Sequence, residues 1–411
     1  GGGDMADDLS VFTQRYHLKE ILGSGGMGTV YRAYDRLMQH DVALKSVNIA
    51  KNDLIFNSRP STSDVRLALA REFKTLASLR HPHIISVLDY GFDTNRKPFY
   101  TMDLLEDMQT FDRACDDKPI EYIANLIIQI LQALSYLHRR GVIHRDLKPS
   151  NIAVIGKNTV KVLDFGLAKA QEQASSNEDE VAGTLAYMSP EALLRGEVSI
   201  SSDIYAVGLI AYEFLTGKHP FNSQLVNELV FNIVNKPLDV SMLAPNLGAI
   251  LLKMTAKDPS DRYETAESAM LDWTKYLNLP TMLETQAIRE SFLQSAQFVG
   301  RDAELKQLSE SLTEMINTNM GKAWLIGGES GIGKSRLLDE FRTLSLVKGA
   351  QVLRGQGVSG GGAPYQLWRE IARWLVLMTT NVTAEEASVL KELVPNIELL
   401  VGHPVPDAPQ L

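Results

Sequence analysis

Apolar and polar positions alternate in short runs through the first hundred residues. Leu18–Leu22, Thr29–Tyr34 and Asp41–Val47 each read as a strand, and Pro98-Phe-Tyr-Thr-Met102 reads as another. With glycines and polar residues between them, they predict a meander of antiparallel strands. The polar stretch Asn57–Asp64 predicts a loop, after which Leu69, Phe73, Leu76 and Leu79 fall on one face of a helix over 65–79. Beyond Pro119 the period becomes helical, over Tyr122–Arg140, Ile204–Thr216, Asn246–Thr255 and Thr265–Tyr276. A small β domain crossed by one helix is therefore followed by a mostly α domain. Residues 278–297 read as a linker. A fresh start at Phe298 predicts a helix to about Asn317, a strand Ala323–Ile326, a glycine loop, and a helix from Lys334. That pattern begins a different α/β domain. The Gly-rich run Arg354–Pro364 reads as a mobile loop.

Composition narrows the picture. A chain of 411 residues, 45% of them hydrophobic, has material for two or three packed domains. Lys and Arg total 41 against 50 Asp and Glu, a net charge of −9, so no overall basic surface exists for wrapping nucleic acid or coating an anionic membrane. The single cysteine, Cys115, excludes an intramolecular disulfide and a cysteine-based zinc cluster, and points to a reducing, cytoplasmic setting. The apolar runs Leu126–Leu134 and Trp374–Met378 are too short or interrupted to span a bilayer, so no membrane segment is expected. The first residues, before Met5, read as a tag scar, and 1–15 as an extension outside the fold.

Candidate chemistry begins at Gly23-Ser24-Gly25-Gly26-Met27-Gly28. Taken alone, this G-x-G-x-x-G run also marks dinucleotide sites. A dinucleotide fold needs the last glycine to open a helix, whereas Thr29-Val-Tyr-Arg-Ala-Tyr34 continues as a strand. The glycines then form a hairpin turn whose bare backbone can lie over phosphates. Lys45 sits inside an apolar strand, where an ammonium needs anionic partners. A phosphate under the turn or a carboxylate from the next helix, such as Glu72, would supply them.

The densest chemistry is His144-Arg-Asp-Leu-Lys-Pro-Ser-Asn151, followed by a strand pair and Asp164-Phe-Gly166. With the glycine turn and the strand lysine, in this order, residues 16–277 resemble the catalytic domain of a eukaryotic-type (Hanks-type) serine/threonine protein kinase. The resemblance implies a two-lobed α+β fold, with an antiparallel β lobe carrying one helix (16–102) and a mostly α lobe (106–277). Phosphoryl transfer demands in-line placement and charge neutralisation more than covalent chemistry. By resemblance, Asp146 takes the acceptor hydroxyl proton and Lys148 steadies the γ-phosphate. Asn151 and Asp164 hold Mg²⁺, with Mn²⁺ as a substitute, and Lys45 binds the α- and β-phosphates while paired to Glu72. The adenine and phosphates of ATP would lie among Leu22, Gly23–Gly28, Val30, Ala43, the gatekeeper Met102, the hinge from Asp103 to Leu105, and Ala153. The partners implied are ATP and protein substrates with Ser or Thr acceptors, with no specific nucleic acid.

Gly183-Thr184-Leu-Ala-Tyr-Met-Ser-Pro-Glu191 resembles the end of a kinase activation segment, with Ser189 where Ala is usual. It implies that Thr184 contacts Asp146 and Lys148, that Glu191 pairs with Arg262, and that Asp203 ties down the catalytic-loop backbone. Arg145, as in kinases switched by loop phosphorylation, should meet an anion. That anion is phosphate on Ser175 or Ser176, or the standing charge of Glu178, Asp179 and Glu180; phosphorylation is the favoured expectation. Ala153 stands where the family has a larger aliphatic residue, which would leave less apolar contact beneath adenine.

A second phosphate motif is Gly328-Glu-Ser-Gly-Ile-Gly333-Lys334-Ser335, between an apolar run and an amphipathic helix. Backbone N–H groups there make an anion cradle, Lys334 reaches phosphate oxygens and Ser335 can ligate Mg²⁺. Residues 298–411 resemble the start of a P-loop regulatory ATPase of the STAND or AAA kind, as found in large multidomain signalling kinases. No apolar run ending in paired acids follows, so the Walker B element is missing, and the chain is expected to be cut inside its ATPase module. The expected whole is a cytoplasmic signalling kinase. The alternatives are a pseudokinase scaffold and a nucleotide-sensing switch in which the P-loop module sets kinase output.

Overall fold

The computed structural model describes residues 13–25, 28–47, 70, 72–164, 183, 185–221, 223, 225–279, 300–357, 365–379 and 381–408. It divides into two compact units. The first comprises Gly1–Ala77, Leu88–Leu104 and Gln297–Leu411, and the second Ser78–Val87 and Leu105–Ala296.

In the first unit, β1 (Tyr16–Gly25), β2 (Gly28–Asp35), β3 (His40–Val47), β4 (Val87–Phe92) and β5 (Pro98–Met102) form one sheet in the order β1-β2-β3-β5-β4. The meander expected from the alternation is β1-β2-β3, antiparallel throughout. β1 carries irregularities between Leu18 and Glu20 and between Ile21 and Gly23, which twist it where it approaches the glycine turn. Tyr16, Ala33, Val42, Leu44 and Phe99 fill one face of the sheet. Helix α1, described over 72–77, buries Phe73 and Leu76. Phe73 packs against Tyr100 and Tyr90, ring centroids 5.3 and 6.3 Å apart. Arg15, expected outside the fold, is buried and belongs to it. Its guanidinium holds Asp35 through two hydrogen bonds, at 2.9 and 2.7 Å, and Asp89 at 2.6 Å.

The second unit holds a three-stranded sheet of β6 (Gln109–Thr110), β7 (Ile152–Ile155) and β8 (Thr159–Val162). Its helices are α2 (Phe111–Cys115), α3 (Ile120–Arg139), α4 (Pro190–Arg195), α5 (Ile200–Thr216), α6 (Val226–Asn235), α7 (Pro245–Met254) and α8 (Ala266–Tyr276). α5 is apolar nearly all round and α3 presents a broad apolar face, which makes them the core pair. α3 packs on both α5 and α8. α3 contains the run Leu126–Leu134 and, at 20 residues, is long and apolar enough by composition to cross a membrane. Yet 61% of its most apolar window is buried inside the protein. Reciprocal serine and threonine caps start α5 (Ser199, Ser202) and α8 (Thr265, Ser268).

The remainder of the first unit is helical: α9 (Asp302–Thr318), α10 (Lys334–Val347), α11 (Gln366–Met378), α12 (Ala384–Leu390) and α13 (Ile397–Val401). Ala372, Val376, Leu377, Ala387, Val394, Ile397, Leu400 and Val405 gather round Leu37 of the β2–β3 turn, so this segment shares a core with the amino-terminal sheet. The strand expected over Ala323–Ile326 is absent. The segment has no regular secondary structure, and Leu325 is 97% exposed. A buried parallel strand exists only beside neighbours that satisfy its backbone, and among the described residues from 300 to 408 there is no strand for it to pair with.

Candidate functional site

The second unit carries the His-Arg-Asp loop. After α3 the chain reaches Arg145 in the left-handed conformation, φ +70°. For a residue with a side chain this costs on the order of 1–3 kcal/mol and persists only where the surroundings fix it. The fixing group is Asp203 on the core helix α5, only 2% exposed. Its Oδ1 accepts the Arg145 backbone N–H at 3.0 Å and its Oδ2 the His144 N–H at 2.9 Å, with His138 Nε2 2.8 Å from the same oxygen. His144 Nε2 lies 2.9 Å from Leu163 O, joining the loop to the end of β8. Asp203 thus ties the loop as the resemblance implied. His138, six residues upstream of the motif, was not singled out from sequence, and a lone histidine at a helix end gives little signal.

Asp146 is buried and its carboxylate is oriented from two sides. Asn151 Nδ2 donates to Asp146 Oδ2 at 2.9 Å and to its backbone O at 2.7 Å, while Lys148 Nζ lies 3.1 Å from Oδ2. A 3₁₀ turn, Pro149–Asn151, brings Asn151 under the aspartate. Because its NH₂ is committed to Asp146, the amide oxygen of Asn151 is the atom left to meet a cation. The Leu163 N–H donates to Asn151 O at 2.8 Å, which places Asp164, at φ +42°, directly after this junction. The donor set is hard oxygen, one amide and one carboxylate. Among the described residues no group of three His, Cys, Asp or Glu could hold a metal by itself. That combination suits an ion that keeps waters and shares its coordination with phosphate oxygens.

The anticipated Glu191–Arg262 pair is present. Arg262 Nη1 and Nη2 donate to the two carboxylate oxygens, each at 2.8 Å, and Ser202 Oγ donates to Oε1 at 2.8 Å. Burial alone would push the Glu191 carboxyl up, but the Arg262 hydrogen bonds outweigh it and hold the group at about 2. A cavity beside Asp146 is lined by Arg145, Leu147, Tyr187, Met188 and Ser189. Cys115 is free and buried, its thiol pushed up to about 12 by burial and then by Asp112, which removes it as a nucleophile.

The first unit carries the glycine motif and Lys45. β1 ends at Gly25 and pairs antiparallel with β2 from Gly28, so the last glycine of the motif opens a strand and not a helix. Gly28 has φ +141°, and a Cβ there would stand 2.0 Å from Ser46 O, so only glycine fits. A Cβ on Gly23 or Gly25 would meet nothing within 4 Å, which leaves their bareness unexplained by internal packing. Lys45 is 6% exposed, opposite Val30 on β2 and Tyr100 on β5. Ala43 pairs with Met102, Leu22 is exposed, and Glu72 is half-buried on α1. Asp103 is half-buried after β5. In the second unit, Leu105 is half-buried and Ala153 is buried in β7. Gly26, Met27, Ser175, Ser176, Thr184 and the acids Glu178–Glu180 lie outside the described residues.

The second phosphate motif is a loop with Gly328, Gly331 and Gly333 all at positive φ, +156°, +84° and +96°. It opens α10, with Ser335 exposed in the first turn. Lys334 Nζ donates to the loop's own carbonyls, Gly328 O at 2.8 Å and Glu329 O at 2.7 Å.

Comparison with known proteins agrees with these geometries. Residues 16–274 match the protein kinase domain and residues 297–411 the AAA ATPase domain. The serine/threonine-protein kinase PknB of Mycobacterium tuberculosis is 34% identical over 305 residues, covering 70% of this chain and 47% of the relative. A probable serine/threonine-protein kinase PknB of Corynebacterium glutamicum is 34% identical over 280 residues, 64% of this chain and 42% of its own. The chain therefore spans about half the length of the curated relatives it matches. Among solved structures, Rad53 1-466 in complex with AMP-PNP superimposes with a TM-score of 0.51 at 25% identity, over 63% of this chain and 65% of that one. With its catalytic-loop geometry and these relatives, the chain belongs to the protein kinase family.

Proposed function

We propose that the chain transfers the γ-phosphate of ATP to serine and threonine hydroxyls of proteins, itself included. The observation that carries this reading is the orientation of Asp146 by Asn151 and Lys148, on a loop pinned by Asp203. Asp146 accepts the proton of the acceptor hydroxyl as its oxygen attacks, and a carboxylate already held in place loses little freedom in doing so. Lys148 steadies the γ-phosphate and marks the serine/threonine branch. Lys45, oriented by Glu72, holds the α- and β-phosphates under the glycine turn, where Gly23 and Gly25 leave room for them. Leu22, Val30, Ala43, Met102 and Asp103 of the first unit take the adenosine part. Magnesium, with manganese as a substitute, would be held by Asn151 and Asp164 and would neutralise phosphate charge.

The acceptor is a polypeptide presented to the cavity beside Asp146. Ser175 and Ser176 are acceptors of the chain's own phosphate transfer. Lys334 and Ser335 form a second phosphate site, in which an incoming phosphate replaces the two carbonyls that Lys334 now bonds. A cytoplasmic setting is supported by the single free cysteine.

The test is incubation of the full chain with labelled ATP and a generic basic protein. Label is expected on serine and threonine, to vanish when EDTA removes divalent cations, and to return with excess Mg²⁺. ATP binding without any label transfer would replace this reading by that of a scaffold.

A further inference from the structure

Helix α10 starts at the second phosphate loop and lies against the amino-terminal sheet and α1. Glu340 Oε1 is 2.7 Å from Lys74 Nζ, with both side chains 18% exposed. The ammonium nitrogen itself is closed off from water. Arg342 donates to Asp89 Oδ1 at 2.8 Å and stacks over the Tyr90 ring at 4.9 Å from its centroid. Thr343 Oγ1 is 3.1 Å from the Tyr90 hydroxyl. Inward from there, Tyr90 packs on Phe73, Phe73 packs on Tyr100, and Tyr100 sits directly across from Lys45 in the sheet. Lys74 is two residues beyond Glu72 on α1. The contacts of α10 thus lead, side chain by side chain, to the helix that bears Glu72 and the strand that bears Lys45.

The rotation of α1 depends on what holds its sides. Phe73 and Leu76 anchor the inner side in the core. On the other side the buried Lys74 ammonium is held chiefly by Glu340, with Asp339 adding a weaker attraction and Arg336 opposing it, and this pair ties α1 to α10. Lys74 and Glu72 cannot move independently within a single turn.

We propose that Glu340 is a positioning residue for the kinase reaction. Through Lys74 it fixes the rotation of α1 and so the reach of Glu72 toward Lys45, and the ATPase module thereby sustains phosphoryl transfer. This rests on the kinase reading above. The test compares wild type, Glu340→Gln, Glu340→Asp, Lys74→Met and the Glu340→Gln/Lys74→Met double variant, all in the full chain and well below the unfolding midpoint. Glu340→Gln is expected to lower kcat/KM for ATP about fivefold while KM for the protein acceptor stays put. Glu340→Asp is expected to keep most of the activity, and the double variant to be no worse than the poorer single one, because the two groups act as one unit. Unchanged or raised kcat/KM for ATP in Glu340→Gln, or additive losses in the double variant, would overturn the proposal and leave the kinase reading standing. A wild-type chain that transfers no phosphate would overturn the kinase reading itself.

Discussion

Asp146→Asn is expected to lower kcat for phosphoryl transfer by about two to four orders of magnitude, the usual worth of a positioned general base. KM for ATP should change little, because the groups assigned to the nucleotide are Lys45, the glycine turn and the strand residues around them. The substitution keeps the size of the side chain and leaves an oxygen to accept from Asn151 Nδ2. What disappears is the negative charge 3.1 Å from Lys148 and the basicity toward the acceptor hydroxyl. Steady-state kinetics with ATP and a basic protein separate the two parameters. An equal loss in ATP affinity and turnover would mean that Asp146 acts by holding the fold and not in the chemistry.

The second large effect concerns stability. Arg262→Met removes both guanidinium bonds from a buried carboxylate and leaves Glu191 charged with no cation against it, only the neutral donors of Ser202, Ser189 and its own backbone. Breaking one side of a buried pair costs about 3–5 kcal/mol, which in a domain of this size lowers Tm by roughly 10 °C. Glu191→Gln in the Arg262→Met background should recover part of the loss, since no unpaired charge is then buried. The same pair sets a pH signature. The Glu191 carboxyl is held at about 2 in the folded protein against an ordinary 4.5, so its stabilisation is complete above pH 4.5 and is lost as the pH falls toward 2. Thermal unfolding between pH 6 and pH 3 should therefore converge for wild type and Glu191→Gln as the pH drops. Parallel curves would refute the assignment.

The catalytic chemistry was legible because it is written in short, local segments. Gly23–Gly28 had to be a hairpin once Thr29–Tyr34 was seen to continue as a strand, and His144–Asn151 puts base, lysine and amide within eight residues. The anchors Asp203 and Arg262 were reached only through resemblance, since they lie 58 and 71 positions from the atoms they hold. Arg15 was not legible at all. Its partners Asp35 and Asp89 are 20 and 74 residues away, and nothing beside Arg15 in the chain signals burial. Ala323–Ile326 shows the opposite error, in which β-prone composition predicted a strand although pairing decides whether one forms. The contacts of α10 with Lys74, Asp89 and Tyr90 escaped for the same reason as Arg15. Each of these side chains reads, alone, as an ordinary surface residue.

The central claim is that this kinase domain transfers phosphate and does so through Asp146. The most direct measurement is mass-spectrometric mapping of phosphorylated residues in the full chain and an added basic protein after incubation with ATP and Mg²⁺, for wild type and Asp146→Asn in parallel. Phosphoserine and phosphothreonine in the wild-type reaction, Ser175 or Ser176 among the sites, and about one-hundredth of that or less with Asp146→Asn is the predicted result. Unmodified protein in both reactions, or equal modification in both, would contradict it.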